Sequence, residues 1–294
     1  MPEAAALNTA AAPRKNSLFR QILKRFLNNR GATIGTIILI IIVFLAILAP
    51  YIAPYDYTQM NLADKLARPS SQHLFGCDDL GRDIFSRVLY GARYSLLIGF
   101  AATALSAVAG VAIGSLCGYY GGWLDDVVMR LIDIVQSIPN MLLAILVATA
   151  LGTGLKETII ALAISNLPNY VRIIRGSILS IRKVEYLDAA QMDNAGTFKI
   201  ILRHLIPNTL APVIVQATMG MAHVITSAAG LSFIGLGVPP PAPEWGALLS
   251  GARNFIRGYP HMIICPGIAL VLTVLSLNLM GDGLRDALDP KLKK

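Results

Sequence analysis

Five stretches of the chain, residues 31–55, 94–124, 134–155, 204–243 and 258–281, run without a single Asp, Glu, Lys or Arg. Each exceeds the roughly 20 apolar residues a helix needs to cross a bilayer core, so each predicts one membrane span. A sixth stretch, residues 158–171, has only 14 such positions and contains Asn166, Pro168 and Asn169. It reaches spanning length if Arg172 and Arg175 extend their charged ends to the interface. Charge placement argues for including it. With six spans and both ends on one side, that side carries 17 Lys and Arg and the other 8. Omitting the weak span would move the basic 172–203 segment to the opposite side. An excess of positive charge marks the cytoplasmic face. The pattern therefore predicts an all-α membrane protein with six transmembrane helices and both termini in the cytoplasm. A label near Ser180 is expected to be shielded from an external reagent, and one near Glu244 to be reached.

Before the first span, residues 17–29 (SLFRQILKRFLNN) place Leu18, Phe19, Ile22, Leu23, Phe26 and Leu27 at helical spacing, with Arg20, Lys24 and Arg25 between them. That is a basic amphipathic helix suited to an anionic headgroup layer. The first apolar run begins too late and is too long for a cleavable signal. The expected organisation is a cytoplasmic tail and interfacial helix over 1–30, a six-helix domain over 31–290 and a basic tail over 291–294. Within the middle unit lie an external segment, 54–94, and a cytoplasmic hairpin, 183–207. Pro139, Pro168 and Pro266 fall in or beside spans, where bends are tolerated if neighbours satisfy the freed carbonyls. Ser106, Gly110, Gly114 and Gly118 recur every four residues. Small residues at that spacing let another helix backbone approach, so Gly110, Gly114 and Gly118 are candidates for close helix packing.

Composition agrees with the membrane reading. Only 14% of the 294 residues are charged, against about 25% in soluble domains. The net charge of +8 does not point to nucleic acid, because the charges sit at the ends of apolar runs. Cys77, Cys117 and Cys265 are scattered, as are His73, His204, His223 and His261, so neither a disulfide framework nor a metal site is expected.

The most informative polar stretch is KVEYLDAAQMDNAGTFKIILRHLIPN, residues 183–208. It predicts helix, turn, helix: a first helix over about 184–193, Asn194 and Gly196 supplying left-handed backbone at its end, a second over about 197–205, and Pro207 opening the next span. Tyr186, Leu187, Met192 and Phe198 are apolar side chains in a loop with little core of its own, which implies a docking partner. The stretch resembles the "EAA" loop of ABC-importer permeases. Asp188-Ala189-Ala190 stands for Glu-Ala-Ala, Asn194 for the family's Gly, and His204-Leu205-Ile206-Pro207 closes the pattern.

Three further stretches resemble the dipeptide/oligopeptide/nickel permeases, in particular the second of their two paired subunits: HLFGCDDLGRDIFSRVLYGARYSL (73–96), LSFIGLGVPPPAPEWG (231–246) and NLMGDGLRDALDP (278–290). The resemblance implies a type I ABC importer in the inner membrane of a bacterial or archaeal cell. Its expected partners are a second homologous permease, two ATPase subunits and an extracytoplasmic binding protein, besides membrane lipid and without nucleic acid. Glu185, Tyr186, Asp188, Ala189, Ala190, Asn194, Gly196 and Pro207 are the implied ATPase-docking residues. The chain is expected to be no enzyme and to hold no cofactor, ATP being used by the partner subunits. Di- and oligopeptides are the first substrate class; nickel, glutathione or another small solute is the alternative.

Other features carry less. GALLSG (246–251) has Walker-like glycines but lacks the Lys and Ser/Thr that a phosphate loop needs. Asp78, Asp79 and Asp83 lack the alternate spacing of a calcium loop; ion pairing with nearby arginines, such as Asp83 with Arg87, is expected instead. Asp133 is expected to pair with Arg130. Asn166, Asn169 and His223 are polar groups within spans and are candidates to line the pore. A secondary transporter, the rival reading, would need coupling charges near the midplane, and His223 alone is a thin basis for one.

Overall fold

A computed structural model describes residues 15–181 and 196–288. Among them the regular structure is helical, with one isolated antiparallel bridge between Cys77 and Asp83. In chain order the helices are α1 (Lys15–Asn28), α2 (Arg30–Ile52), α3 (Ile84–Tyr120), α4 (Gly122–Gln136), α5 (Asn140–Leu151) and α6 (Leu155–Ile181). After the gap come α7 (Thr197–Phe233), α8 (Trp245–Ala252) and α9 (His261–Leu288). One end of the bundle gathers residues 53–83, the α5–α6 turn and residues 234–260, and is called the loop end below. The opposite, basic end gathers α1, α4, the end of α6 and the start of α7.

Four helices, α2, α3, α7 and α9, are long and apolar enough to cross a membrane, or five spans if the bent pair α4 and α5 counts as one. α6 has 27 residues and is long enough at ~1.5 Å per residue. Lys156, Glu157, Arg172 and Arg175 make it more polar than the others. Along α2 the bulky residues Ile34, Ile40, Phe44 and Ile47 point outward, an arrangement suited to hydrocarbon rather than water.

Two predicted elements change shape. The apolar run 134–155 is not one straight span: α4 ends at Gln136, the chain turns by 90°, and α5 has only 12 residues. At ~1.5 Å per residue α5 covers about 18 Å, short of a ~30 Å core. Pro139, directly before α5, cannot donate to the helical ladder and so permits the break. Conversely, Pro207 does not separate two helices. α7 is continuous for 37 residues, and a π-turn at Ile201–Leu205 takes up the distortion just before the proline.

The core is the crossing of α3 on α6. A Cβ on Gly110 would collide with the Tyr170 Cβ, one on Gly114 would lie 2.6 Å from the Val171 carbonyl oxygen, and one on Gly118 would lie 2.9 Å from the Ile178 Cβ. At the outer end of this stripe the Ser106 hydroxyl donates to the Ala163 carbonyl at 2.9 Å. α9 meets α2 in the same way, with Gly35 set against the Ser276 carbonyl. Small side chains thus let the backbones approach closely where lipid supplies no hydrophobic drive for association.

The labelling positions need one correction. Glu244 is 0% exposed and cannot host an accessible probe, whereas Pro239 and Ser180 are exposed. In a cysteine-free background, P239C should react with an impermeant maleimide in intact cells, and S180C only after lysis. Labelling of S180C without lysis would overturn the expected orientation.

Candidate functional site

At the basic end α6 runs to Ile181 and the chain re-enters the described region at Gly196. Glu185, Tyr186, Asp188, Ala189, Ala190 and Asn194 lie outside the described residues; Gly196 and Pro207 lie within them. Gly196 is not left-handed, as expected from sequence, but has φ −58° and stands at the N-cap of α7. Its carbonyl accepts from the Lys199 and Ile200 amides at 2.9 and 3.1 Å. The first turns of α7 are two-faced. Ile200, Ile201 and Leu205 are buried in a cluster with Ile174, Ile178 and Val213. Phe198 and Leu202, one turn apart, are 75% and 48% exposed. The inner face anchors the segment to α6 and the outer face presents bare apolar surface.

α4 is tied to α6 by three polar contacts. Asp125 accepts from the Arg175 Nε and Nη2 atoms, both at 2.5 Å. Asp133 accepts from Arg172 Nη2 at 2.5 Å, and Gln136 Nε2 donates to Asn169 Oδ1 at 3.0 Å. The Asp125 side chain is 9% exposed, so this forked, charge-assisted pair is the strong one. The Asp133 and Arg172 side chains are about half exposed, and such pairs contribute little. Asp133 therefore pairs with Arg172 rather than Arg130, and the two arginines of α6 reach carboxylates rather than solely the interface. These partners are 33 to 50 residues apart, beyond the reach of helical periodicity.

The candidate pore residues divide. Asn166 is 6% exposed and donates to the Leu162 carbonyl one turn back on α6 at 2.8 Å. Asn169 is half-buried against Gln136. His223 is exposed on α7 between buried Ala222 and Val224. Tyr170, not singled out from sequence, is 2% exposed and is wedged between the Gly110 stripe and Gly220 of α7. Its neighbours Asn169 and Val171 gave no periodic signal for it.

The loop end is rigidly braced. Asp78 accepts from Arg82 Nε at 2.7 Å and from Arg87 Nη1 at 2.9 Å. Asp83 does not pair with Arg87; it accepts from the Ser86 amide at 2.7 Å, capping α3, and meets His73 Nδ1 at 2.9 Å. The N-cap geometry takes the carboxylate away from Arg87. Cys77 is fully buried there, and burial together with Asp83, Asp64 and Asp78 pushes its thiol up to about 12. Glu244 is likewise buried. It accepts from the Gly246 and Ala247 amides at 2.9 and 3.0 Å and from the Ser95 hydroxyl at 3.2 Å. The Walker-like segment is thus a helix, α8, capped by this glutamate. Trp245 Nε1 donates to the Val88 carbonyl at 3.0 Å, which pins α8 to α3. A carboxylate immediately before WGALLSGA was the available signal for that cap.

Long apolar helices packed into one bundle, with their charged groups gathered at its two ends, are the architecture of an integral-membrane protein. Residues 110–294 match the family described as binding-protein-dependent transport system inner membrane component. Residues 17–69 match the N-terminal TM domain of oligopeptide transport permease C. The chain belongs to this family: it is a permease subunit of an ABC importer, whose ATP hydrolysis resides in separate subunits.

Among its relatives is the dipeptide transport system permease protein DppC of Alkalihalophilus pseudofirmus, 43% identical over 97% of this chain and 92% of that protein. DppC of Haemophilus influenzae is 44% identical over 92% and 93%. The glutathione transport system permease protein GsiD of Pectobacterium atrosepticum is 41% identical over 94% and 92%. An inward-facing structure of the MetNI methionine ABC transporter shares the fold, with a TM-score of 0.56 and 20% identity over 69% of this chain and 97% of that one.

Proposed function

We propose that this permease forms half of a translocation pore for di- and oligopeptides, pairs with a second homologous permease, and couples to two ATPases through the segment 183–207. The similarity to dipeptide permeases along nearly the whole chain carries the substrate reading. The glutathione permeases favour glutathione as the second reading. The 17-to-8 division of Lys and Arg supports both termini lying in the cytoplasm, which leaves the loop end to receive an external binding protein. Exposed Phe198 and Leu202 support a docked partner at the basic end.

The test is extraction of the tagged chain in mild detergent, followed by reconstitution with the matching binding protein. The second permease and the ATPases should copurify, and a labelled dipeptide should be taken up only with ATP. Uptake driven by an ion gradient without ATPases would overturn the importer reading. ATP-driven uptake of glutathione but not dipeptides would move the substrate to the second reading.

A further inference from the structure

One face of α3 changes chemistry along its length where it borders two neighbouring cavities. Nearest the loop end, a cavity of about 380 Å³ is lined by Tyr57, Tyr90, Arg93, Tyr94, Leu97 and Leu155. Further from the loop end, an open groove of about 430 Å³ is walled by α2 residues such as Val43 and Ile47, by Leu96 and Phe100 of α3, and by Met221 of α7. Arg93 and Leu97 border both. The upper chamber is aromatic and hydroxyl-bearing. The Tyr57 and Tyr90 rings lie 4.8 Å apart, and Tyr94 lines the same chamber. Apart from Arg93 at its rim, the lower chamber is lined by apolar residues.

Arg93 is exposed, and among the described residues it has no ion-pair partner. The adjacent Ala92 shares a buried cluster with Ala46 of α2, which lies about 9 Å before the end of that helix at ~1.5 Å per residue. A guanidinium at that depth calls for an anion or for water. Among the described residues no carboxylate lines either chamber to hold an ammonium group, so a zwitterionic peptide would satisfy only one of its ends here.

We propose that this groove is a binding site for one anionic phospholipid of the leaflet at the loop end, its phosphate held by Arg93 and the tyrosine hydroxyls and an acyl chain lying in the α2–α3 channel. The order of groups along α3 is that of the amphiphile itself: Tyr90, Arg93 and Tyr94 first, then Leu96, Leu97 and Phe100. Guanidinium matches phosphate through paired N–H donors, and tyrosines favour the headgroup level.

The test is native mass spectrometry of the importer complex in mild detergent. The probes are added phosphatidylglycerol and, separately, phosphatidylcholine with the same acyl chains. The complex should retain one phosphatidylglycerol in preference to phosphatidylcholine. R93Q should weaken that retention about tenfold, the scale of one charge-assisted contact. R93K should keep the preference for the anionic lipid with weaker binding, a pattern that misfolding would not produce. L97W, at an exposed position, should narrow the channel and reduce retention of both lipids. Equal retention by wild type, R93Q and L97W would overturn the proposal. So would displacement of the lipid by excess dipeptide, or efficient disulfide crosslinking of F100C to the second permease, since either would give the groove another occupant. The measurement does not depend on which solute is transported, so failure here leaves the peptide reading untouched.

Discussion

Gly114→Leu should leave little of the chain in a folded, extractable form. A Cβ at this position would lie 2.6 Å from the Val171 carbonyl oxygen and 3.0 Å from the Ile174 Cβ, and leucine adds three further carbons. The obstacle is backbone, so no rotamer change relieves it. The crossing cannot open locally either, because Gly110 and Gly118 press on α6 one turn to each side. Ser106 also bonds across the same interface. Overpacking of this kind costs about 3 kcal/mol or more, a large part of the ~5–15 kcal/mol that holds most domains together. Sequence placed this stripe at a helix contact; the structure places that contact within the chain. The defect should therefore appear when the chain is expressed without partners, as a collapsed monodisperse peak in detergent. Gly176→Ala, where a Cβ meets nothing within 4 Å, is the control and should behave as wild type. A normal yield of Gly114→Leu would mean that α3 and α6 separate at little cost.

Phe198→Asp should abolish ATP-driven uptake while the membrane fold survives. Phe198 is 75% exposed, so the protomer loses little of its own packing. The buried side of the same turns, Ile200, Ile201 and Leu205, stays anchored. If an ATPase subunit covers Phe198, the substitution places an unpaired carboxylate in an apolar contact, a penalty of about 3 kcal/mol or more and hence over a hundredfold in docking. Ala190→Asp, within the docking segment inferred from sequence, should behave alike. Replacing Asn194 by Gly should be harmless, since glycine adopts the left-handed turn expected there from sequence at least as easily. The measurement is ATPase pull-down and uptake on the same membranes, normalised to permease abundance. Full ATPase binding and full uptake in both charged variants would remove this segment as the coupling element.

Much of the architecture follows from local pattern. A bilayer imposes a length and a composition on each span, so α2, α3, α7 and α9 can be read from charge-free runs, and the amphipathic α1 from its period. The four-residue spacing of Gly110, Gly114 and Gly118 likewise announces a close contact, because it depends only on the geometry of one helix. The contact partner does not. That α6 receives the stripe, that Arg175 finds Asp125 across 50 residues, and that Asp83 caps α3 and meets His73 instead of Arg87 all depend on how distant segments pack. Charged groups choose among several neighbours by distance and burial, and sequence separation does not encode either. The broken α4–α5 pair shows the same limit: composition allowed a span through Pro139, whereas the chain bends there by 90° and α4 meets α6 through polar partners 33 to 50 residues away.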